Sequence, residues 1–537
     1  MPGNPLKIQE SLICFATQVE HLIDNRRRFT LAPDEFVLIN PNTRTCPIFR
    51  SERDAELTKK LYRAAPVLVK EAITDESGQV VQPEVNPWGI SFSQGLFNMT
   101  SDSCLFHDTP AKAGQPPRLP LYEAKMIHQF DHRWATYLDA ASGAAGEVET
   151  ADVSAVQKAD PACSVRPRYW VDEREVLGRI ARVPARVSRA WLALHAAKVA
   201  AQPGAVDAAE SDLLLALAQW VAGDLFHRDA GAPPTPAGWT PTRAQRHIAP
   251  TEAQLKARFP RLGDRLRGEG LTTKKALAEF PKWALQNADV RLVDEELSAL
   301  PDALRSSPSE DAVLALLDDW MVRRSPRWLM GWRRNARSTD ERTTIAGVMP
   351  RSAQGDSVFL FEFSTSATSA NCAAFLACLN SMPFDLVARQ KVGGVNFSFY
   401  FMKQLPGLAP SCYTPGALNF IVPRVLELTF TAHDIKPWAE DLAAYDPRPA
   451  AERGQPFAWN PERRAQLRAE LDAYYARLYG LTRDELCYIL DPKDVMGEDY
   501  PSETFRVLRE GELRQFGEYR TRRLVLEAWD RLAAASA

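Results

Sequence analysis

The 537-residue sequence is short of the signatures by which enzymes are usually known. No Gly-Lys dipeptide occurs, so there is no Walker A loop to cradle a nucleotide phosphate. The G-x-S-x-G nucleophile elbow of α/β hydrolases is missing, and so is the H-E-x-x-H helix of zinc proteases. The eight cysteines, at 14, 46, 104, 163, 372, 378, 412 and 487, form no C-x-x-C pair and no finger-like Cys/His spacing. They read as free thiols of a reducing cytoplasm. No run of about 18 apolar residues is present, and the N-terminus MPGNPLKIQESLICF lacks a charged-then-apolar leader, so neither secretion nor membrane spanning is expected.

Charge is also in short supply as a net quantity. With 65 Lys plus Arg against 68 Asp plus Glu, the chain has no overall basic field, and any nucleic-acid contact must come from local clusters. A 45% hydrophobic and 25% charged composition is that of a globular protein, and its length allows about three or four folding units.

Texture along the chain predicts an α+β fold. Five segments are expected: an α+β N-terminal region (1–115), a linker and recognition-associated segment (116–171), a helical subdomain (172–320), an α+β region (321–445) and a C-terminal helical region (446–537). Phe36–Ile39 and Val67–Val69 read as strands stopped by breakers, and 54–62 as a short helix. Residues 110–120 and 140–164 read as polar loops, and the helical subdomain is interrupted at 232–241. TTIAGVMP and SVFLFEF read as strands, NCAAFLACLNSMPFDLVARQ as one apolar helix, and VNFSFYFMKQLPGL as a strand after a Gly-Gly turn. The last ninety residues carry apolar positions at i, i+3, i+4 and i+7, which predicts amphipathic helices.

Three clusters bear on function. Arg323 to Arg351 holds eight arginines, at 323, 324, 327, 333, 334, 337, 342 and 351, against Asp340 and Glu341. Trp328 and Trp332, spaced i, i+4, suit one buried face of a helix that turns the arginines outward. Guanidinium forks suit phosphates and guanine edges, and Ser338 and Thr339 suit phosphate hydrogen bonds; a solvated face or internal ion-pair network is the competing reading. Arg243 to Lys282 is also basic, but interleaved acids favour a solvated helix face. The third cluster, 388–406, places Gln390, Lys391, Asn396, Lys403 and Gln404 around Gly393 and Gly394, which suits contact with a phosphate or base edge, or a plain hairpin turn.

Two weaker patterns imply catalysis. Asp108 with Glu123-x-Lys125 has the outline of a metal-dependent nuclease, a short motif with a high chance rate. His128 and His132, in HQFDH, sit at the i, i+4 spacing of a metal-binding helix face, with hydrogen-bonding histidines as the commoner alternative. For amino-group methylation of a base, an Asn/Asp-Pro-Pro-aromatic loop is needed; the Pro-Pro pairs follow Gln115 and Ala232, and Asn86-Pro87-Trp88 is one proline short. Nor does the lone Gly268-Glu269-Gly270 follow a strand as a methyl-donor loop would.

The strings NPNTRTCPIFRSERDAELTKKLYRAAPVL, NPWGISF, FNMTSDSCLF, LYEAKMIHQFDHRWATY, RWLMGWRRNARSTDERTTIAGVMP, LNSMPFDLVARQKVGGVNFSFYFMKQLP and ETFRVLRE with YRTRRLVLEAWD occur in this order over nearly the whole chain. Together they resemble the C-terminal half of the Eco57I-like adenine-specific DNA methyltransferases of restriction-modification and phage-defence systems. The ARQKVGG turn is also similar to turns of type I specificity subunits. The resemblance implies a target-recognition region with an inserted helical subdomain and a C-terminal helical region, without the family's N-terminal catalytic part, as a truncated product or one half of a split enzyme. It implies double-stranded DNA and a methyltransferase domain or subunit as partners, no cofactor in this chain, and S-adenosylmethionine in that missing domain. By position, Arg327, Arg333, Arg334, Arg337, Ser338, Thr339, Arg342, Gln390, Lys391, Gly393, Gly394, Asn396 and Lys403 are the expected DNA contacts. The alternatives are the nuclease above and a non-catalytic interaction subunit or remnant.

Overall fold

The computed structural model describes residues 10–138, 149–230, 290–299 and 311–536. The basic stretch Arg243–Lys282, the interruption at 232–241 and the Gly268–Gly270 turn fall outside the described residues, as does part of the loop expected at 140–164. The fold is mixed α+β. Contacts divide the chain into two units, one of Met1–Thr109, Pro120–Trp170 and Arg327–Ala537, the other of Pro110–Leu119 and Val171–Pro326.

The first unit is built on an antiparallel four-stranded sheet of β1 (Ile90–Ser93), β2 (Trp328–Arg333), β3 (Ala346–Pro350) and β4 (Val358–Phe363), in the order β3-β2-β4-β1. Registers such as Met330↔Val348, Met330↔Phe361 and Phe361↔Phe92 fix it. Trp328 and Trp332 therefore lie on a strand and not on the expected helix. Their spacing of four preserves the face in either structure, because side chains alternate along a strand. β-branched and aromatic partners decide between the two: Trp332 is fully buried, edge-on to Phe92 and Phe359 and 4.5 Å from Phe361, and its indole N–H donates to the Phe397 carbonyl at 2.9 Å.

Helices share one hydrophobic core with this sheet. α1 (Glu52–Ala64) starts where the Ser51 hydroxyl accepts from the Asp54 amide. The apolar segment expected as one helix forms two, α2 (Ser369–Asn380) and α3 (Met382–Lys391), bent by 58° at Ser381. Pro383 can donate no amide hydrogen bond, which favours the first turn of a new helix over the interior of a continuing one. Both helices are buried in the core, and among the described residues no single helix is long and apolar enough to cross a membrane. The C-terminal helices include α4 (Pro461–Leu478), α5 (Arg506–Phe516) and α6 (Arg520–Ser536).

Three strand expectations are corrected. Phe36–Ile39 belongs to a helix, Pro33–Ile39, because Pro33 opens its first turn and the Glu35 carboxylate accepts from the Ala32 amide at 3.0 Å. Val67–Val69 forms only a bridge to Pro406, with amides donating to Leu405 and Lys403. Residues 395–406 run extended only to Ser398 and then turn through the short helix Phe399–Met402.

The second unit is helical where described: Glu173–Ile180, Ala185–Val199, Pro203–Ala230 and Asp311–Arg323. Trp220 and Trp320 meet edge-to-face at 5.8 Å in its core. Arg324 pairs with the buried Glu296 at 2.5 Å and lies over the Trp220 ring.

Candidate nucleic-acid interface

The strand β2 runs out into the loop 334–342, and α3 runs out into the loop 392–398. These two segments, over fifty residues apart in sequence, are laced together by their backbones. The Phe397 amide donates to the Arg334 carbonyl at 2.6 Å, the Ala336 amide to the Val395 carbonyl at 3.3 Å, and Asn335 bridges Asn396. The result is one exposed edge carrying Asn335, Arg337, Thr339, Gly393, Gly394 and Asn396. A Cβ added at either glycine would meet open space and neither has a positive φ, so the chain's own packing does not require glycine there.

The loop is held from behind by one buried arginine. Arg389 pairs with Asp385 and donates to the carbonyls of Ser338, Asp340, Glu341 and Thr504 at 2.6–3.1 Å, with its guanidinium 4.5 Å from the Phe505 ring. Asp385 itself accepts the Thr343 and Thr344 amides. The Asp340 carboxylate accepts the Arg337 amide, closing a turn with the Arg337 side chain exposed.

The eight-arginine cluster is largely spent inside the protein. Arg323 and Arg324 belong to the helical unit, paired with Asp319 and Glu296. Arg327 is half-exposed but clamped by Glu440 and Asp441. Arg333 donates to the Ile127 carbonyl at 2.8 Å, and burial pulls its guanidinium down to about 10. Arg334 is 31% exposed and 3.4 Å from Asp356. Arg342 is buried among Gln129, Asn380 and Asp472. Arg351 is half-buried, and Arg337, beside the exposed Thr339 and the half-buried Ser338, is the exposed arginine of the eight whose guanidinium no carboxylate clamps, so most of the surplus read in the sequence is met by acids and carbonyls of the protein itself.

The second cluster divides in the same way. The Lys391 ammonium is buried, donating to the Ile39 carbonyl (2.8 Å) and the Asn40 side-chain oxygen (2.6 Å) over the Tyr62 ring; burial pulls it down to about 7. Gln390 accepts from Thr58, and Lys403 pairs with Glu71 at 2.9 Å. Lys391 thus supports the loop at 40–47 and does not face outward. Exposed groups not singled out from the sequence lie alongside: Asn335, and the aromatics Phe399 and Tyr400, 39% and 51% exposed. Phe399 and Tyr400 fall in the apolar run FSFYFM, where a strand reading would have buried every second residue, and no sequence signal marked Asn335.

His128 and His132 lie on an irregular turn and not on a helix; His128 stacks on Trp134 at 4.2 Å and His132 bonds Asp434 at 2.8 Å. Glu123 accepts from the Tyr137 hydroxyl and Lys125 lies over the Tyr137 ring, while Asp108 is exposed. Among the described residues no three His, Cys, Asp or Glu side chains gather as metal ligands. Asn86 caps its own turn through Ile90, and Trp88 is buried with its indole on the Leu408 carbonyl. Comparison with family models, curated proteins and solved structures finds no match.

Proposed function

We propose that this chain is the DNA target-recognition part of an adenine-N6 DNA methylation system of restriction-modification or phage-defence type, acting with a methyltransferase domain or subunit that binds S-adenosylmethionine. The observation that carries this reading is the joining of the 334–342 and 392–398 loops into one edge. Asn335 and Asn396 offer the paired donor and acceptor that suit an adenine edge, Arg337 suits a phosphate or guanine, and the open glycines admit close backbone approach. Phe399 and Tyr400 add exposed ring faces beside the loop. The resemblance of the sequence strings supplies the adenine and methylation terms.

Fluorescence anisotropy with duplex libraries tests the reading. Arg337→Ala should weaken binding to all sequences and reduce the salt slope by about one if it grips a phosphate. Asn396→Ala should relax discrimination at one base pair, by about 1–3 kcal/mol. Unchanged affinity and discrimination in the double variant would remove this edge from any DNA contact.

A further inference from the structure

A second feature lies behind the end of the 334–342 loop, at Glu341 and Arg342: a cleft of about 350 Å³ between α4, α5, α6 and the turn at 128–134. Its floor is a row along one face of α4, Arg464, Arg468 and Asp472, spaced by four, with Arg342 alongside. The hydrogen-bond capacity of these groups is unequally met. Arg464 donates to the Leu428 and Phe130 carbonyls and stacks on Trp459 at 3.9 Å. Arg520, on the far wall, pairs with Glu462 at 2.6 Å. Arg342 uses Nε and Nη2 on Gln129 and Asn380, but its Nη1 is buried with no partner. Arg468 makes no hydrogen bond or ion pair with any described residue, although its guanidinium lines the same cleft.

Most of the acids here are already supplied with donors. Asp131 takes the Lys158 ammonium and the Arg133 amide, Asp472 the Met382 amide, and Glu512 the amide and hydroxyl of Thr521; Glu341 is exposed. What the cleft leaves unmet is therefore donor capacity on cations, and a buried donor without a partner costs about 1–3 kcal/mol. An oxyanion would satisfy it, and guanidinium forks match a phosphate in charge and spacing. The volume exceeds that of a bare phosphate, and the exposed Phe516 ring, with the edges of Trp134 and Trp459 whose faces are taken by His128, Lys158 and Arg464, supplies apolar surface for a ring.

We infer that this cleft binds a phosphorylated ligand of about mononucleotide size, its phosphate held by Arg342 and Arg468 and its organic part against the aromatic wall. The inference does not rest on DNA recognition by the loop edge, since it concerns different side chains and a ligand that need not be a duplex.

Titration calorimetry of the full chain with inorganic phosphate, AMP and a short single-stranded oligodeoxynucleotide, in the absence of duplex, tests it. Phosphate and AMP should both bind, AMP more tightly, and Arg468→Gln should weaken AMP by about tenfold or more, as expected for a lost charge-assisted pair. Arg468 lies near the carboxylates of Glu341, Asp472 and Glu512 without a direct hydrogen bond or ion pair to any of them, so the variant should stay folded with a small change in melting temperature, checked by circular dichroism; Arg342→Gln, which strips bonds from Gln129 and Asn380, is the less clean change. AMP outbinding the oligonucleotide identifies a free nucleotide as the ligand, and the reverse identifies a nucleotide within a strand. No binding of phosphate or AMP at millimolar concentration, or AMP affinity unaltered in Arg468→Gln, overturns the inference.

Discussion

Two buried cations show how a residue's chemistry depends on where its donors go. Lys391 is held in its folded state with an affinity for protons pulled from the ordinary 10.5 to about 7. Between those values the unfolded chain binds a proton that the folded chain does not, so stability rises with pH through that window, and the cost of the buried charge is fully felt below it. The melting temperature of wild type relative to Lys391→Met is expected to climb from pH 7 to 9, by the equivalent of about 1–3 kcal/mol, as followed by circular dichroism. A flat difference would show that the Asn40 and Ile39 oxygens hold the ammonium charged throughout. Arg389 is the opposite case, a cation with a full set of acceptors. Arg389→Gln leaves Asp385 buried without its counter-charge and releases four carbonyls, so a loss of about 3–5 kcal/mol in denaturant midpoint experiments is expected, with faster amide exchange confined at first to 338–344.

Elements were legible in the sequence where one period dominates. β3 and β4 were, because their apolar runs are short and bounded by turn residues, and the C-terminal helices were, because their apolar positions recur over many turns. β2 was not: Trp328 and Trp332 fall on one side of either a strand or a helix, and only the cross-strand partners Val348, Phe359 and Phe361 select the strand. Gly331 carries the same information. A Cβ there would press on the Phe359 carbonyl of β4, so close strand pairing requires glycine at that position. Gly331→Ala is expected to lower stability by about 1–3 kcal/mol in thermal or urea unfolding, whereas alanine at Gly393 or Gly394, which faces open space, should leave the unfolding midpoint near that of wild type. For the candidate site, the sequence identified the two segments but not the direction of their side chains. Arginine count is a property of composition, and whether Asp356, Glu440 or Asp441 lies opposite is decided by contacts made between residues far apart in the chain.

Among the described residues, the internal use of Arg327, Arg333, Arg342, Lys391 and Lys403 reduces the charge that this edge can offer a polyanion. Duplex binding through this edge is accordingly expected to show a shallow salt slope, corresponding to about one to three released counterions instead of the six to ten of extensive phosphate grips. Anisotropy titrations between low and physiological salt measure this directly. A slope above six would place the main electrostatic contact elsewhere than this edge.

The rear fastening of the 338–341 backbone separates mounting from the reading proposed for this edge. Because Arg389 grips main-chain oxygens, which every amino acid possesses, the identities at Asn335, Arg337, Thr339 and Asn396 are free to drift while the scaffold keeps its shape. Such an arrangement is interchangeable by construction: transplanting a handful of outward letters between otherwise similar chains should re-address the protein without rebuilding it.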